Sequence, residues 1–204
     1  MSDGVRAAGR SGTAGRARRR TARQEDLLNR LVALFAAEGF TAFTLDDLVE
    51  RMRCSKTSLY TLAGSKQELV VEVVKQYFRL SVPAVEAAVE KAAGPRARVV
   101  AYLTAVGDYL RPLSRDFMDD LAGFGPAAEV YRRNTAAAAD RIRELIAEGI
   151  AAGEFRELHA AFAAEMVAAT MFEIQRGEMF SRLEMTDAEA YAELASLVVH
   201  ALAP

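Results

Sequence analysis

Thr44-Leu-Asp-Asp-Leu-Val-Glu-Arg-Met-Arg-Cys-Ser-Lys-Thr-Ser-Leu-Tyr60, followed closely by Ser65-Lys-Gln-Glu-Leu69, is the stretch whose reading decides the fold. Thr44 and Asp47 form a capping-box-like start, and Leu45, Leu48, Val49 and Met52 make one apolar stripe behind it. Ser55 caps a second short helix, read over Ser55 to Leu62, whose buried side is Leu59 and Leu62. Ser65 and Glu68 open a third, long helix carrying Leu69, Val73, Tyr77 and Leu80. Two short helices joined by a tight turn, the second polar at its front, suit a segment that enters a nucleic-acid groove.

Outward from this stretch, periodicity of three to four residues governs the chain. Leu27, Leu31, Leu34 and Phe35 form one face of a preceding helix, which Gly39 ends. Pro83 is expected to kink or end the long helix, because it lacks an amide and clashes one turn back. Gly94-Pro95 is the clearest later break, and helices are predicted near 96–111, 115–122, 126–151, 157–177 and 187–202. Thr186 with Glu189 forms a further capping box, and Gly153 suits a helix C-terminus. No segment of useful length alternates with period two, so the expected fold is all-α. The expected organisation is a basic arm (1–20) too poor in large apolar side chains to order itself, a three-helix helix-turn-helix domain (21–72), and a helical body (73–204).

Charge is unevenly placed. Arg6, Arg10, Arg16, Arg18, Arg19, Arg20 and Arg23 face only Asp3 before position 24, which leaves 19 basic and 27 acidic residues beyond it. A basic arm on an acidic body engages a polyanion locally rather than everywhere. A solubilising tail is the plainer reading of the same arm. No apolar run approaches the roughly 20 residues of a membrane span, and no apolar stretch follows the basic N-terminus as in a secretory signal. A single cysteine, Cys54, leaves no internal disulfide and fits a reducing, cytoplasmic setting.

The groove-entering end of the second short helix carries Lys56, Thr57 and Ser58, beside its cap Ser55. A lysine reaches guanine O6 or N7, and hydroxyls bond either base type. Tyr60 offers a hydroxyl to phosphate, and Thr44 and Lys66 begin helices whose amides and dipoles suit phosphate. Arg18, Arg19, Arg20 and Arg23 add candidate minor-groove or backbone contacts.

Leu34-Phe-Ala-Ala-Glu-Gly-Phe40, Thr44, Asp47-Leu48, Ser55, Leu59-Tyr60 and Ser65-Lys-Gln-Glu-Leu69 together resemble the N-terminal domain of the TetR family of bacterial transcriptional regulators, over about Arg23 to Tyr77. Glu148-Gly-Ile-Ala-Ala-Gly-Glu-Phe-Arg156 resembles that family's turn between two long helices. The resemblance implies a regulator, more often a repressor, that binds a near-palindromic double-stranded operator as a homodimer and releases it when a small, largely apolar effector enters the body. Three positions depart from the family pattern: Leu62-Ala63 replaces His-Phe, Arg53 stands where a small turn residue is usual, and Leu31 replaces a small alanine. Altered packing between the third and fourth helices, and heavier reliance on the arginine arm, are the expected consequences.

For the body, the resemblance implies an effector pocket, and Tyr102, Val106, Tyr109, Phe117, Met118, Phe124 and Tyr131 are its candidate lining. Asp108, Thr135 and Gln175 are conceivable polar contacts there. The implied dimer uses the last two long helices: Phe162, Met166, Ala169 and Phe172 on the first, Leu194, Leu197, Val198 and Ala201 on the second. A monomer core explains the same stripes.

Enzyme chemistry finds little support. His159 and His200 are the only histidines, with no metal-ligand spacing, and no glycine loop cradles a phosphate. Asp116, Asp119 and Asp120 read as one solvated helix face rather than a cation site, and no cofactor or metal is expected. Cys54 reads as a small buried hydrophobe before a redox sensor. A helical small-molecule-binding enzyme and a non-specific binder driven by the arm stand as alternatives.

Overall fold

The computed structural model describes residues 20–176, 183 and 185–203. Its regular elements are the helices α1 (Ala22–Glu38), α2 (Leu45–Met52), α3 (Lys56–Tyr60), α4 (Lys66–Lys91), α5 (Gly94–Leu110), α6 (Arg115–Gly123), α7 (Gly125–Ala151), α8 (Ala160–Arg176) and α9 (Asp187–Leu202). Among the described residues the fold is all-α, as the periodicity predicts. The caps explain the boundaries. Thr21 and Thr44 make complete capping boxes with Gln24 and Asp47, and Thr186 does so with Glu189. Ser65 accepts from the Glu68 amide at 3.1 Å, but the Glu68 carboxylate turns to the Gly64 amide at 2.8 Å. The helix α3 is shorter than the expected Ser55–Leu62 run and finishes in turns at Thr61 and Leu62.

Two apolar cores share α4, and α7 also enters both, through Ala127 in the first and Ile142 in the second. The head core joins Leu28, Leu31 and Phe35 of α1, Leu48 of α2 and Leu59 of α3 to Leu69, Val73, Val74, Tyr77 and Phe78 of α4. The body core takes Val85 and Val89 of α4, then Leu103, Ile142, Leu145, Met171 and Tyr191 from α5, α7, α8 and α9. Pro83 therefore does not end the helix as the sequence allowed. Its ring removes a hydrogen bond to the carbonyl of Arg79, but Arg79, Val82, Pro83 and Ala84 are all exposed, where water can serve that carbonyl. Leu62 is buried in the head core, so an apolar anchor is present where the family pattern has an imidazole. Along α4 the residues of the head core run to Phe78, and those of the body core start at Val85.

Helix α6 joins head and body. Phe117 and Leu121 are buried in the head core. Asp120 accepts the Phe40 and Thr41 amides at 2.5 and 2.7 Å, and the Ser114 amide donates to the Ala36 carbonyl at 2.8 Å. Part-burial of the Asp120 carboxyl pushes its pKa up, but the Thr41 and Phe40 bonds outweigh this and hold it below the usual carboxylate range. Its contribution to stability is therefore present above the unfolded carboxyl pKa and is lost as pH falls through the folded value. Asp120 is thus not part of a uniformly solvated acidic face; Asp116 and Asp119 are the exposed members.

Two of the positions with positive φ, Gly39 and Arg53, flank α2. Gly39 has φ 73°, and a Cβ there would lie 2.7 Å from Asp120 Oδ2. Arg53 has φ 48° and ψ 50°, and it is the non-glycine residue with positive φ among those described. That conformation costs an L-residue about 1–2 kcal/mol.

Gly39→Ala should lower unfolding stability by about 2–3 kcal/mol, since it combines a strained φ with a clash at the joint. Gly123→Ala, where the added Cβ meets nothing within 4 Å, should leave stability equal or higher. Urea unfolding of both variants checks the contrast; equal midpoints would remove the joint from the account.

Candidate nucleic-acid interface

The turn between α2 and α3, with α3 itself, carries Ser55, Lys56, Thr57, Ser58 and Tyr60 of the predicted contact residues. Ser55 caps α3 by accepting from the Ser58 amide at 3.1 Å, and the two serine hydroxyls lie 2.9 Å apart. Lys56, Thr57 and Tyr60 are exposed, with Tyr60 at 51%. Buried Leu59 anchors the opposite side of α3 to α1 and α4, so its polar side faces outward.

Several of these groups already have partners. Lys56 Nζ lies 2.7 Å from Asp46 Oδ1 at the start of α2, and this carboxylate raises the lysine pKa through its hydrogen bond and charge. Thr44 gives both its amide and its hydroxyl to Asp47, at 2.7 Å each, and these bonds lower the Asp47 pKa. Lys66 Nζ donates to the Thr41 carbonyl at 3.0 Å. Arg20 is held by Glu72 of α4 in an ion pair, while Arg23 is exposed on α1. Arg18 and Arg19 lie outside the described residues. Residues 20–72 contain seven basic and eight acidic side chains, so this segment alone has no cationic excess.

Cys54 is half-buried against the head core. Burial raises its thiol pKa, outweighing the opposing charges of Arg30 and Arg23. The environment therefore disfavours the reactive thiolate.

The body holds a partly open chamber of about 170 Å³ between α4, α5, α7 and α8. Tyr102, Val106, Tyr109 and Tyr131 line it as expected residues, and Phe78, Glu86, Arg141 and Met171 line it unannounced by any local motif. Thr135 also lines it, with its hydroxyl donating to the Tyr131 carbonyl at 3.2 Å. Phe78 stacks on Tyr131 with ring centroids 5.4 Å apart, and Tyr77 and Tyr109 exchange hydroxyl-to-carbonyl bonds. Arg141 grips Glu86 through two bonds of 3.1 Å, which closes the charged side of the wall. Burial raises the pKa of Tyr102, whose hydroxyl points toward the Ala138 carbonyl at 3.5 Å.

The other candidates fall elsewhere. Phe117 is buried in the head core, with Phe124 partly buried against it, and Met118 faces a separate open groove along α6, α7 and α9. Asp108 is exposed and paired with Arg111 at 2.7 Å, and the Gln175 side chain lies outside the described residues. Of the stripes assigned to pairing, Phe162, Met166 and Leu197 are 65, 54 and 67% exposed. Ala169 and Ala201 are exposed too, Phe172 and Val198 are half-buried, and Leu194 is buried in the body core. No grouping of three or more His, Cys, Asp or Glu able to hold a metal occurs among the described residues. No helix among them is long and apolar enough to cross a membrane.

Residues 27–73 match the family described as bacterial regulatory proteins, tetR family. The chain is similar in fold to a transcriptional regulator from Cytophaga hutchinsonii, with TM-score 0.71 and 16% identity over 88% of this chain and 98% of that one. It is similar to the TetR-family regulator PfmR from Thermus thermophilus, with TM-score 0.62 and 21% identity over 87 and 99% of the two chains. A regulator from Saccharomonospora viridis solved with choline gives TM-score 0.71 and 15% identity over 89 and 97%. Among curated proteins, none matches.

Iodoacetamide labelling of Cys54 at pH 7.5 should be slower in the folded protein than after unfolding, because the raised pKa keeps the sulfur protonated. Equal or faster labelling in the fold would restore a reactive thiol.

Proposed function

We propose that this chain, which carries the N-terminal domain of the tetR family of bacterial regulatory proteins on a matching all-helical body, is a repressor that grips an operator as a homodimer and lets go when a small effector fills the body chamber. The observation that carries the reading is the division of α3: Leu59 is locked into the head core while Lys56, Thr57 and Tyr60 stand exposed together. Such a helix has a buried side to fix its orientation and a polar side to read base edges and phosphates.

Pairing is supported by the apolar face that α8 and α9 leave uncovered. Phe162, Met166 and Leu197 are large side chains more than half exposed, with small Ala169 and Ala201 beside them. Covering such a face with a second copy removes apolar area from water and brings two heads into one unit. Two heads spaced by roughly 34–36 Å would meet successive turns of one DNA face.

The chamber volume of about 170 Å³ lies below the roughly 300–1,000 Å³ usual for drug-sized ligands. The effector is therefore small, or the chamber widens to admit it. Its aromatic walls and closed Glu86–Arg141 pair favour an uncharged, mostly apolar molecule, because a charged one would compete with that pair. The wall segments Phe78 and Tyr109 adjoin the Tyr77 that belongs to the head core, so a shift of α4 on ligand entry moves the head directly.

Fluorescence anisotropy of the full chain with DNA from upstream of its own gene, against a scrambled duplex, tests the reading. Preference for the upstream fragment is expected, and Lys56→Ala with Tyr60→Phe should weaken that binding at least about tenfold. Identical binding of both duplexes by the unaltered protein would favour the arm-driven, non-specific alternative. Separately, Phe162→Asp with Leu197→Asp should convert a dimer to a monomer in sedimentation while preserving the helical circular-dichroism signal; an unchanged sedimentation coefficient would place pairing elsewhere.

A further inference from the structure

The charges of the head are mostly spoken for. Among its seven cationic side chains, Arg20 is tied to Glu72, Arg51 to Glu38 and Lys56 to Asp46. Arg30 donates to the Met52 carbonyl at 2.6 Å, and Lys66 donates to the Thr41 carbonyl at 3.0 Å. Arg23 and Arg53 have neither an ion pair nor a side-chain hydrogen bond among the described residues. Of these two, Arg53 occupies the turn between α2 and α3, two residues before the α3 cap Ser55 and three before Lys56.

Its backbone makes the case specific. Arg53 closes α2 in the left-handed conformation, with its amide donating toward the Glu50 and Val49 carbonyls. A glycine would hold that conformation without strain. The Arg53 side chain is exposed and meets no acid among the described residues. Strain retained at a solvent-facing position, with an uncompensated planar cation beside the groove-entering helix, calls for a compensating anion outside the chain.

We infer that Arg53 is a DNA-contacting residue of this head, gripping a backbone phosphate at the edge of the groove that α3 enters, with its guanidinium fork on the phosphate oxygens. This rests on the DNA-binding reading above. The contact is positional: it fixes the register of Lys56 and Thr57 on the bases without itself reading sequence.

The decisive variant is Arg53→Gly, because strain relief and contact loss act in opposite directions. Its Tm should rise by about 2–4 °C, so misfolding cannot account for a binding defect. The probe is a duplex selected from a random library by the unaltered full chain, titrated by anisotropy at several salt concentrations beside a scrambled duplex. Affinity for both duplexes should fall about tenfold, with the slope of log affinity against log salt shallower by about one per head. Arg53→Lys should fall between, keeping the charge but not the fork. Unchanged affinity and slope for Arg53→Gly would overturn the assignment, as would a loss confined to the selected duplex with no change in slope. If the unaltered chain selects no sequence and binds neither duplex, the DNA-binding reading itself fails, and that result is distinct from a failure of Arg53 alone.

Discussion

Helix α4 belongs to two cores, as α7 does through Ala127 and Ile142. From Leu69 to Phe78 the apolar side of α4 closes the head against α1, α2 and α3, and at Val85 and Val89 it enters the body against α5 and α7. A rigid α-helix cannot turn in one core without turning in the other, because interiors are close-packed and shift between discrete arrangements. Tyr77 shows the consequence at atomic scale. It is buried in the head core, yet its ring lies 4.7 Å from Tyr109, a wall of the body chamber, and the two exchange hydroxyl-to-carbonyl bonds. The α6 joint adds a second tie, with Asp120 fixing the Phe40–Thr41 backbone that leads into the cap of α2. Head core and chamber wall thus meet at α4 and at the Tyr77–Tyr109 pair.

The polarity of the head is distinctive against that frame. Acidic side chains stand at the first turn of α2, where bare helix amides would welcome phosphate. Asp47 takes up the Thr44 donors and Asp46 holds Lys56. Binding DNA through this end must exchange those internal pairs for external ones. Such exchange lowers attraction to phosphate in general and leaves discrimination to contacts that fit a particular groove. The sequence concentrates cations before position 24, almost without acids, whereas residues 20–72 have no cationic excess.

Local chemistry made most of the architecture legible. Thr44, Ser55 and Thr186 cap helices as their neighbours indicate, and Gly39 and Gly153 end them with positive φ. Each of those signals acts within four residues, so a linear reading suffices. What escaped the sequence depends on distance along the chain. Pro83 reads as a stop, but the packing of Val85 and Val89 into the body core carries α4 past it. Phe117 and Tyr131 share one aromatic character in sequence; only the docking of α6 places the former in the head core and leaves the latter on the chamber wall. Glu86 and Arg141 sit 55 residues apart, and nothing near either announces their bidentate pair. Asp120 likewise resembles its neighbours Asp116 and Asp119 until the Phe40 and Thr41 amides come to it.

Whether paired heads read one sequence on adjacent turns of DNA is settled by hydroxyl-radical footprinting of the full chain on duplexes enriched from a random library. The account predicts one enriched near-palindrome, with two protected half-sites on the same face of the duplex and centres about one helical turn, or a whole multiple of it, apart. An unenriched pool protected evenly along its length would contradict it.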